Sequence, residues 1–222
     1  MKTSPLLVLF GVVLSFPAVA QQSVDGTNTG IPASGPGSPA LTPPVSQPGP
    51  HRSTVTLTAI DSKTISSVSN ANWNDNRFRA YWSSASQGYV DGLVKFDLSS
   101  IPDGSNITSM TLRAYHENGF GNPKSDPEVV IFRSSGDSWT RANGADPHPG
   151  MDETLTPVHT GFPSADLAPV DFVLDVNTVN WAADLADDTL TLGARNVAGA
   201  VGRYSYVYFY GSDANPAPPE LI

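Results

Sequence analysis

The sequence contains no cysteine and is poor in basic residues. Its 222 residues include 12 Lys and Arg against 21 Asp and Glu, which gives a net charge of −9. A disulfide-stapled mini-protein, a zinc ribbon and a thiol enzyme all need cysteine, so the sequence excludes these classes. A protein that binds nucleic acid through its phosphates needs a basic face, which so few bases do not supply. We therefore expect no nucleic-acid partner.

Long hydrophobic runs are also scarce. The sequence has a single one, at the start of the chain. Residues 6–16 are predominantly apolar, Pro17 ends any helix, and Ala18-Val19-Ala20 has the small-residue pattern of a cleavage site. The run is shorter than the roughly 20 residues that a membrane span requires. We predict a signal peptide over residues 1–20, secretion to the extracellular space or cell envelope, and no membrane span after cleavage. An uncleaved anchor is the alternative.

Residues 21–52 differ in composition from the rest of the chain. Seven prolines and four glycines lie between positions 30 and 50, and Asp25 is the one charged residue before Arg52. Such a segment has too little apolar surface to offset the entropy lost on ordering. We therefore predict a disordered Pro/Gly-rich linker over residues 21–52, which tethers a folded domain over residues 53–222. A removable pro-segment is the alternative.

From residue 53 onward, apolar and polar residues alternate in short runs. This period of two is typical of strands that bury one face. The apolar positions of the clearest runs are Val55, Leu57 and Ala59; Val94, Phe96 and Leu98; Met110, Leu112 and Ala114; Val170, Phe172, Leu174 and Val176; and Leu190, Leu192 and Ala194. One stretch, residues 177–185, has helical spacing. We predict an all-β sandwich of about eight strands with one short helix.

The same alternation predicts the two faces of the strand around Phe96. Phe96 is expected to fill the core, so its loss should open a cavity. Lys95 is expected to face solvent, where replacement by alanine should cost less than about 0.5 kcal/mol.

Residues 92–115 have the sequence GLVKFDLSSIPDGSNITSMTLRAY. This segment resembles the signature of the DNRLRE domain, a family related to disaggregatase repeats and to the carbohydrate-binding modules of family 96. More diffuse similarities follow in the family's order: Asp137-Ser138-Trp139-Thr140, Leu174-Asp175-Val176 with Val179 and Trp181, and Phe209, Ser212 and Pro219-Glu220-Leu221. Arg141 stands where the family usually has glutamate.

The resemblance covers about residues 53–222. It implies a jelly-roll-like β-sandwich that serves as an accessory or surface domain of secreted proteins, and some relatives in that family bind polysaccharide. Trp139 and Trp181 match family positions that look structural, so we expect both in the core.

Residue patterns that carry catalysis are missing from the sequence. None of the four histidines has the spacing of a helical metal pair, and neither a nucleophile elbow nor a glycine-rich phosphate loop occurs. We expect these histidines to be exposed loop residues: His51, His116, His148 and His159. Asp171 and Asp175 on one strand would lie about 13 Å apart, beyond either glycosidase geometry. We therefore expect no enzyme activity, and a polysaccharide lyase or hydrolase is the least favoured function.

No cofactor is required by this interpretation, and calcium is the ion that the oxygen-rich loops would hold best as a structural ligand. The weak candidate ligands are Asn74, Asp75, Asp146 and Asp152. The cluster around Asn74 and Asp75 lacks the glycine and the terminal glutamate of a calcium-binding hand loop, and the cluster with Asp146 and Asp152 lies in a Pro/Gly-rich loop. Solvated turn residues are the alternative.

Aromatic residues are the most informative feature of the second half. Four tyrosines alternate along one predicted strand: Tyr204, Tyr206, Tyr208 and Tyr210. Val207 and Phe209 supply the core face, so the tyrosines should project the other way. Flat rings stack on the C–H faces of pyranoses, and their hydroxyls bond sugar hydroxyls. Trp73 and Trp82 belong to a second aromatic zone that would wall a groove. A protein-binding surface and plain packing are the alternatives for the tyrosines.

We therefore expect a secreted, non-catalytic polysaccharide-binding or cell-surface module, with a polysaccharide or cell-surface glycan as its partner. The alternative is a structural subunit of an extracellular matrix or fibre. Such a subunit would self-associate through the sandwich edges or through the tyrosine face.

Overall fold

The computed structural model describes residues 52–69, 72–73, 76–84, 88–117, 127–142, 147–198 and 205–222. The predicted signal peptide and all of the predicted linker except Arg52 lie outside these residues. The described chain forms twelve strands and one helix. In chain order they are β1 (Leu57–Thr58), β2 (Asp61–Ser66), β3 (Asn72–Trp73), β4 (Arg77–Ser84), β5 (Gly88–Asp97), β6 (Thr111–Tyr115), β7 (Val129–Ser134), β8 (Glu153–Thr154), β9 (Pro169–Val173), α1 (Ala182–Ala186), β10 (Thr189–Asn196), β11 (Tyr206–Tyr210) and β12 (Glu220–Leu221).

These strands form two antiparallel sheets. The smaller sheet has the order β1-β12-β6-β9, and the larger has the order β11-β4-β5-β10-β7-β8, with β2 paired to β5 and β3 paired to β2. Four of the strands, β1, β3, β8 and β12, have two residues each. The prediction of an all-β sandwich with about eight substantial strands and one short helix is therefore confirmed for the described part of the chain.

The main core consists of the apolar positions that the alternation predicted. Val94 and Phe96 of β5 are fully buried, and they pair with Leu192 and Leu190 of β10. Residues of the smaller sheet, including Phe172, belong to the same cluster. The apolar face of each strand is therefore buried against the other sheet, which removes it from water. Trp181 also lies in this cluster, as expected.

The prediction for Lys95 is wrong, because the outer face of the larger sheet is covered at β2 and β5. Lys95 is 8% exposed, and its Nζ donates to the carbonyl oxygens of Asp137 and Trp139 at 2.6 and 2.5 Å. Lys63, on the neighbouring strand β2, is fully buried and donates to the carbonyl oxygen of Thr140 at 3.1 Å. Residues 135–142, which we call the covering segment, therefore lie over this face.

A second, smaller apolar cluster joins the covering segment to the outer face of the larger sheet. Its members are Ile65, Leu93, Phe132 and Trp139. The indole Nε1 of Trp139 donates to the hydroxyl of Thr191 at 3.2 Å, so the buried N–H of this expected core residue is satisfied. The ring of Phe132 lies directly on Gly193, where any Cβ would collide with it. Glycine is therefore required at that position of β10.

The helix is shorter and begins later than the sequence pattern suggested. Helical spacing predicted residues 177–185, whereas α1 begins at Ala182. The reason is local. The carboxylate of Asp175 accepts the N–H of Asn177 at 3.0 Å. The backbone carbonyl oxygen of Asp175 accepts a hydrogen bond from the hydroxyl of Thr178 at 3.0 Å. These bonds form a hydrogen-bonded turn at the position where the first turn of the helix was predicted. Aspartate side chains compete with the helix for backbone groups in this way.

Candidate functional site

The tyrosines of β11 lie on the face that the alternation predicted for them. Val207 and Phe209 are buried in the core. Tyr206, Tyr208 and Tyr210 alternate with them on the outer face and are partly exposed. The fourth predicted tyrosine, Tyr204, lies outside the described residues. Three of the four tyrosine candidates are thus placed side by side along one strand.

Strand β4 lies beside β11 and adds residues to the same face. The antiparallel register pairs Tyr81 with Tyr206, Arg79 with Tyr208, and Arg77 with Tyr210. Residues that lie directly opposite in an antiparallel pair project to the same face. The outer face of this strand pair therefore combines tyrosines with two arginines.

Sequence reasoning missed the two arginines of this face. Arg77 and Arg79 alternate with the buried residues Phe78 and Ala80, and this pattern was the available signal that they point outward. Their position next to the tyrosines depends on the pairing of two strands that are far apart in sequence. No local pattern reports such a pairing.

Four aromatic rings contact one another in a chain that runs from β3 onto this face, and we call them the aromatic row: Trp73, Tyr81, Tyr208 and Tyr206. The distance between ring centroids is 6.3 Å for Trp73 and Tyr81, and 6.4 Å for Tyr81 and Tyr208. Tyr208 and Tyr206 are stacked at 5.2 Å with 29° between their planes. The structure therefore joins Trp73, predicted in a separate zone, to the tyrosines.

The rings of the row differ in how much of their surface is engaged. Tyr208 contacts Tyr206 and Tyr81, and the guanidinium carbon of Arg79 lies 5.1 Å from its ring centroid. Within the described part of the chain, Tyr208 is the one ring that Tyr206 contacts. Tyr206 therefore has fewer ring contacts among the described residues than Tyr208 has.

The charges near the row balance one another. Arg77 donates from Nη2 to Oε1 of Glu117 at 2.6 Å, and its Nε pairs with the other carboxylate oxygen. The hydrogen bond that Arg77 donates to Glu117 raises the pKa of Arg77 above its ordinary value. The hydroxyl of Tyr210 donates to Asp166 at 3.0 Å. Arg77, Arg79, Glu117 and Asp166 together carry no net charge.

The tyrosine hydroxyls are neutral at physiological pH, and partial burial extends the pH range over which they stay protonated. Desolvation raises the pKa of Tyr81, Tyr206 and Tyr208 above the ordinary tyrosine value. The phenols therefore stay protonated well above neutral pH, so each hydroxyl can both donate and accept a hydrogen bond.

Trp82 does not join the aromatic row. It follows Tyr81 directly on β4, so it projects to the opposite face of the strand. Its partner in the ladder with β5 is Tyr89. The two tryptophan candidates are therefore separated by the strand itself, and only Trp73 lies beside the tyrosines.

The described residues do not bring the calcium candidates together. Asn74, Asp75 and Asp146 lie outside them. The carboxylate of Asp152 accepts the N–H of Ser135 at 2.5 Å. Hydrogen bonds from the side chain and from the backbone of Ser135 lower the pKa of Asp152. No group of three or more Asp, Glu or His that could hold a metal occurs in the part of the chain that the structure describes. Calcium stays a prediction.

The expectation of an exposed loop histidine is wrong for His148, whose side chain is 8% exposed. Its Nδ1 accepts the N–H of Gly150 at 3.0 Å, so the proton is on Nε2, which donates to Asp91 at 2.8 Å. Asp91 is fully buried and also accepts Nη2 of Arg195 at 2.5 Å. Both ring nitrogens are thus bonded within the protein, and His148 anchors its loop to the sheet.

Two more histidines are half-buried, contrary to the same expectation. His159 packs against Phe162 and Phe172, with ring centroids 4.9 and 5.0 Å away. The Nδ1 of His116 lies 3.3 Å from the carbonyl oxygen of Ala165. His51 lies outside the described residues.

No family model matches this chain, and no curated protein matches it in a sequence comparison. The resemblance to the DNRLRE domain therefore stays a prediction. Among the described residues, no helix has the length and apolarity needed to cross a membrane.

Proposed function

We propose that the protein is a secreted, non-catalytic polysaccharide-binding or cell-surface module whose glycan-contact face is the aromatic row together with Tyr210. The observation that carries this proposal is the chain of ring contacts that joins Trp73 of β3 to three tyrosines on the outer face of the β4–β11 pair. Aromatic rings supply large contact areas with few rotatable bonds, so they lose little entropy on binding. Successive rings give several contact points along a polymer.

The charge balance of the face favours a neutral polysaccharide. The arginines next to the row already contact Glu117 and Tyr208. The whole chain carries a net charge of −9, which repels anionic polymers. Stacking and neutral hydrogen bonds are not screened by salt. Binding should therefore change little between low and high ionic strength.

A glycan array tests the proposal with the protein, the variant Tyr206→Ala and the double variant Tyr206→Ala/Tyr208→Ala. We expect the parent to bind one class of neutral polysaccharide and the double variant to bind it at least about 10-fold more weakly, since each ring supplies contact area. The matched control is Tyr115→Ala, because Tyr115 is a partly exposed tyrosine on the outer face of the other sheet. The control should bind like the parent.

Two results would overturn the proposal. One is equal binding by the parent and the double variant when both have the same melting temperature. The other is a parent that binds no polysaccharide on the array. The same array with a calcium chelator tests the calcium prediction, since binding that needs the ion should disappear.

One observation favours the alternative, a structural subunit of a matrix or fibre. Strand β9 is the last strand of the smaller sheet, and its terminal residue Val173 is 71% exposed. Exposed edges can pair with another chain. Light scattering over a range of concentrations tests this alternative. Self-association that Val173→Lys abolishes would support it, and a monomer at every concentration would contradict it.

A further inference from the structure

A groove of about 380 Å³ lies between the connection from β5 to β6 and the segment that leads into α1. It has no residue in common with the aromatic row. Its volume lies in the range of sites that hold small molecules, about 300–1,000 Å³. All of its lining residues belong to the described part of the chain.

The groove has an apolar floor and a rim of neutral polar side chains. The floor consists of Ile107, Val176, Val179, Trp181 and Leu185. The rim consists of Ser105, Asn106, Asn177 and Asn180. An apolar floor with a few convergent polar groups is the usual composition of a ligand site.

The rim groups offer both donors and acceptors. Asn180 uses its Oδ1 to accept the N–H of Ala182 at 3.2 Å, which leaves its Nδ2 as a donor. Asn177 uses its Nδ2 to donate to Asp175 at 3.3 Å, which leaves its Oδ1 as an acceptor. Mixed donors and acceptors match hydroxyl groups, since a hydroxyl donates once and accepts twice.

Local hydrogen bonds fix the walls of the groove. The hydroxyl of Ser105 donates to the carbonyl oxygen of Pro102 at 2.6 Å. On the opposite wall, the N–H of Asn177 donates to Asp175 at 3.0 Å. The indole Nε1 of Trp181 donates to the carbonyl oxygen of Val176 at 2.9 Å, which fixes the orientation of the ring. Groups held in this way lose little further freedom when a ligand binds.

No ionisable side chain lines the groove, and the nearest ones in sequence are acids. Asp103 precedes one wall, and Asp175 precedes the other. With no base in the lining and acids next to it in sequence, the groove does not favour an anionic ligand. We propose that this groove is a second binding site, independent of the aromatic row, and that it takes a neutral pyranose unit of an oligosaccharide.

Nuclear magnetic resonance tests this proposal on the ¹⁵N-labelled protein. The probes are cellotriose, xylotriose and chitotriose, with trigalacturonate as the anionic comparison. We expect one of the neutral trisaccharides to shift the side-chain amide signals of Asn106, Asn177 and Asn180 and the indole signal of Trp181. The affinity of so small a ligand should be on the order of 1 mM.

The helix offers a matched pair of variants. Ala182 and Ala183 are both exposed, but only Ala182 lines the groove. Ala182→Phe should fill the groove and weaken binding at least about 10-fold, whereas Ala183→Phe should stay within about 2-fold of the parent. Both variants should melt like the parent, since neither side chain is buried.

Three outcomes would overturn the proposal: no shift with any neutral trisaccharide, equal binding by the two phenylalanine variants, or stronger binding of trigalacturonate. Tyr206→Ala should leave these signals unchanged. Failure of the groove and failure of the aromatic row are therefore distinguishable.

Discussion

Replacement of Lys95 by methionine tests whether the covering segment is held on the sheet by buried ammonium groups. Methionine keeps much of the length and volume of lysine but removes the charge and the donors. In the parent, Nζ donates to the carbonyl oxygens of Asp137 and Trp139, and it lies 4.5 Å from the centre of the Trp139 ring. The variant leaves these two carbonyl oxygens without the ammonium donor.

The expected change in the free energy of unfolding for Lys95→Met is the balance of opposing contributions. A hydrogen bond from a charged donor contributes about 1.5–3 kcal/mol, and an acceptor left unsatisfied in the interior costs about 1–3 kcal/mol. The cation–π contact adds about 0.5–2 kcal/mol. Removal of the ammonium also relieves a desolvation penalty of several kcal/mol, which offsets part of the loss. We therefore expect Lys95→Met to lower the free energy of unfolding by about 2–4 kcal/mol.

Urea unfolding measures this difference. With a slope of about 2 kcal/mol per molar urea, the midpoint should fall by about 1–2 M. Arg113→Met is the matched control, because Arg113 forms an exposed ion pair with Asp171 at 2.7 Å on the other sheet. Exposed pairs contribute about 0–1 kcal/mol, so the control should unfold close to the parent. If both variants unfolded within about 0.5 kcal/mol of the parent, Lys95 would be a solvated residue and the account of the covering segment would be refuted.

Phe96→Ala should lower the free energy of unfolding by about 3–5 kcal/mol, because the ring is fully buried in the main core. A decrease in this free energy of less than about 1 kcal/mol, measured by urea unfolding, would contradict the register of β5. His159→Leu should reduce the acid sensitivity of the fold. Burial lowers the pKa of His159 below its ordinary value of 6.5, so its stabilising effect is complete above that pH and is lost as the pH falls through the folded-state pKa. The stability of the parent relative to His159→Leu should therefore decrease from about pH 7.5 to about pH 5, and a constant difference would count against the buried neutral imidazole.

The sequence predicted which residues share a strand face, because that property is local. Alternation over a few positions determines that Val94 and Phe96 share one side and that Tyr206 and Tyr208 share another. The described strands confirm both pairs of positions. Strand period and apolar character are sufficient for this step, so the class of fold followed from the sequence.

The contacts between distant segments did not follow from the sequence. The position of Arg79 beside Tyr208 depends on the pairing of β4 with β11, and the burial of His148 depends on its loop reaching Asp91. These partners are more than 50 residues apart in the chain. Local propensity contains no information about such pairings, so the composition of the aromatic row and the burial of the histidine could not be predicted.

The start of the helix was missed for a different reason, because there the signal was local. Asp175 precedes the helical pattern, and aspartate just before a helical pattern is a common cap residue. Its carboxylate instead bonds the N–H of Asn177, two residues further on, within a turn. Cap and turn use the same side chain and nearly the same spacing, so the sequence alone does not distinguish them.

The composition of an outer strand face indicates whether another segment covers it. On β2, β5 and β7, the face opposite the main core includes apolar residues among the charged ones: Ile65, Leu93 and Phe132 beside Lys63, Asp91 and Lys95. Such apolar side chains would be costly in water, so their presence on this face signals a cover, here the covering segment. Over the paired residues 77–81 of β4 and 206–210 of β11, the outer face consists of arginines and tyrosines, with no aliphatic residue. These side chains combine an apolar body with a polar end, and they are the types enriched where a protein contacts a partner. The two outer faces therefore differ in kind: one is completed by the chain itself, and the other carries the residue types on which the proposed glycan site rests.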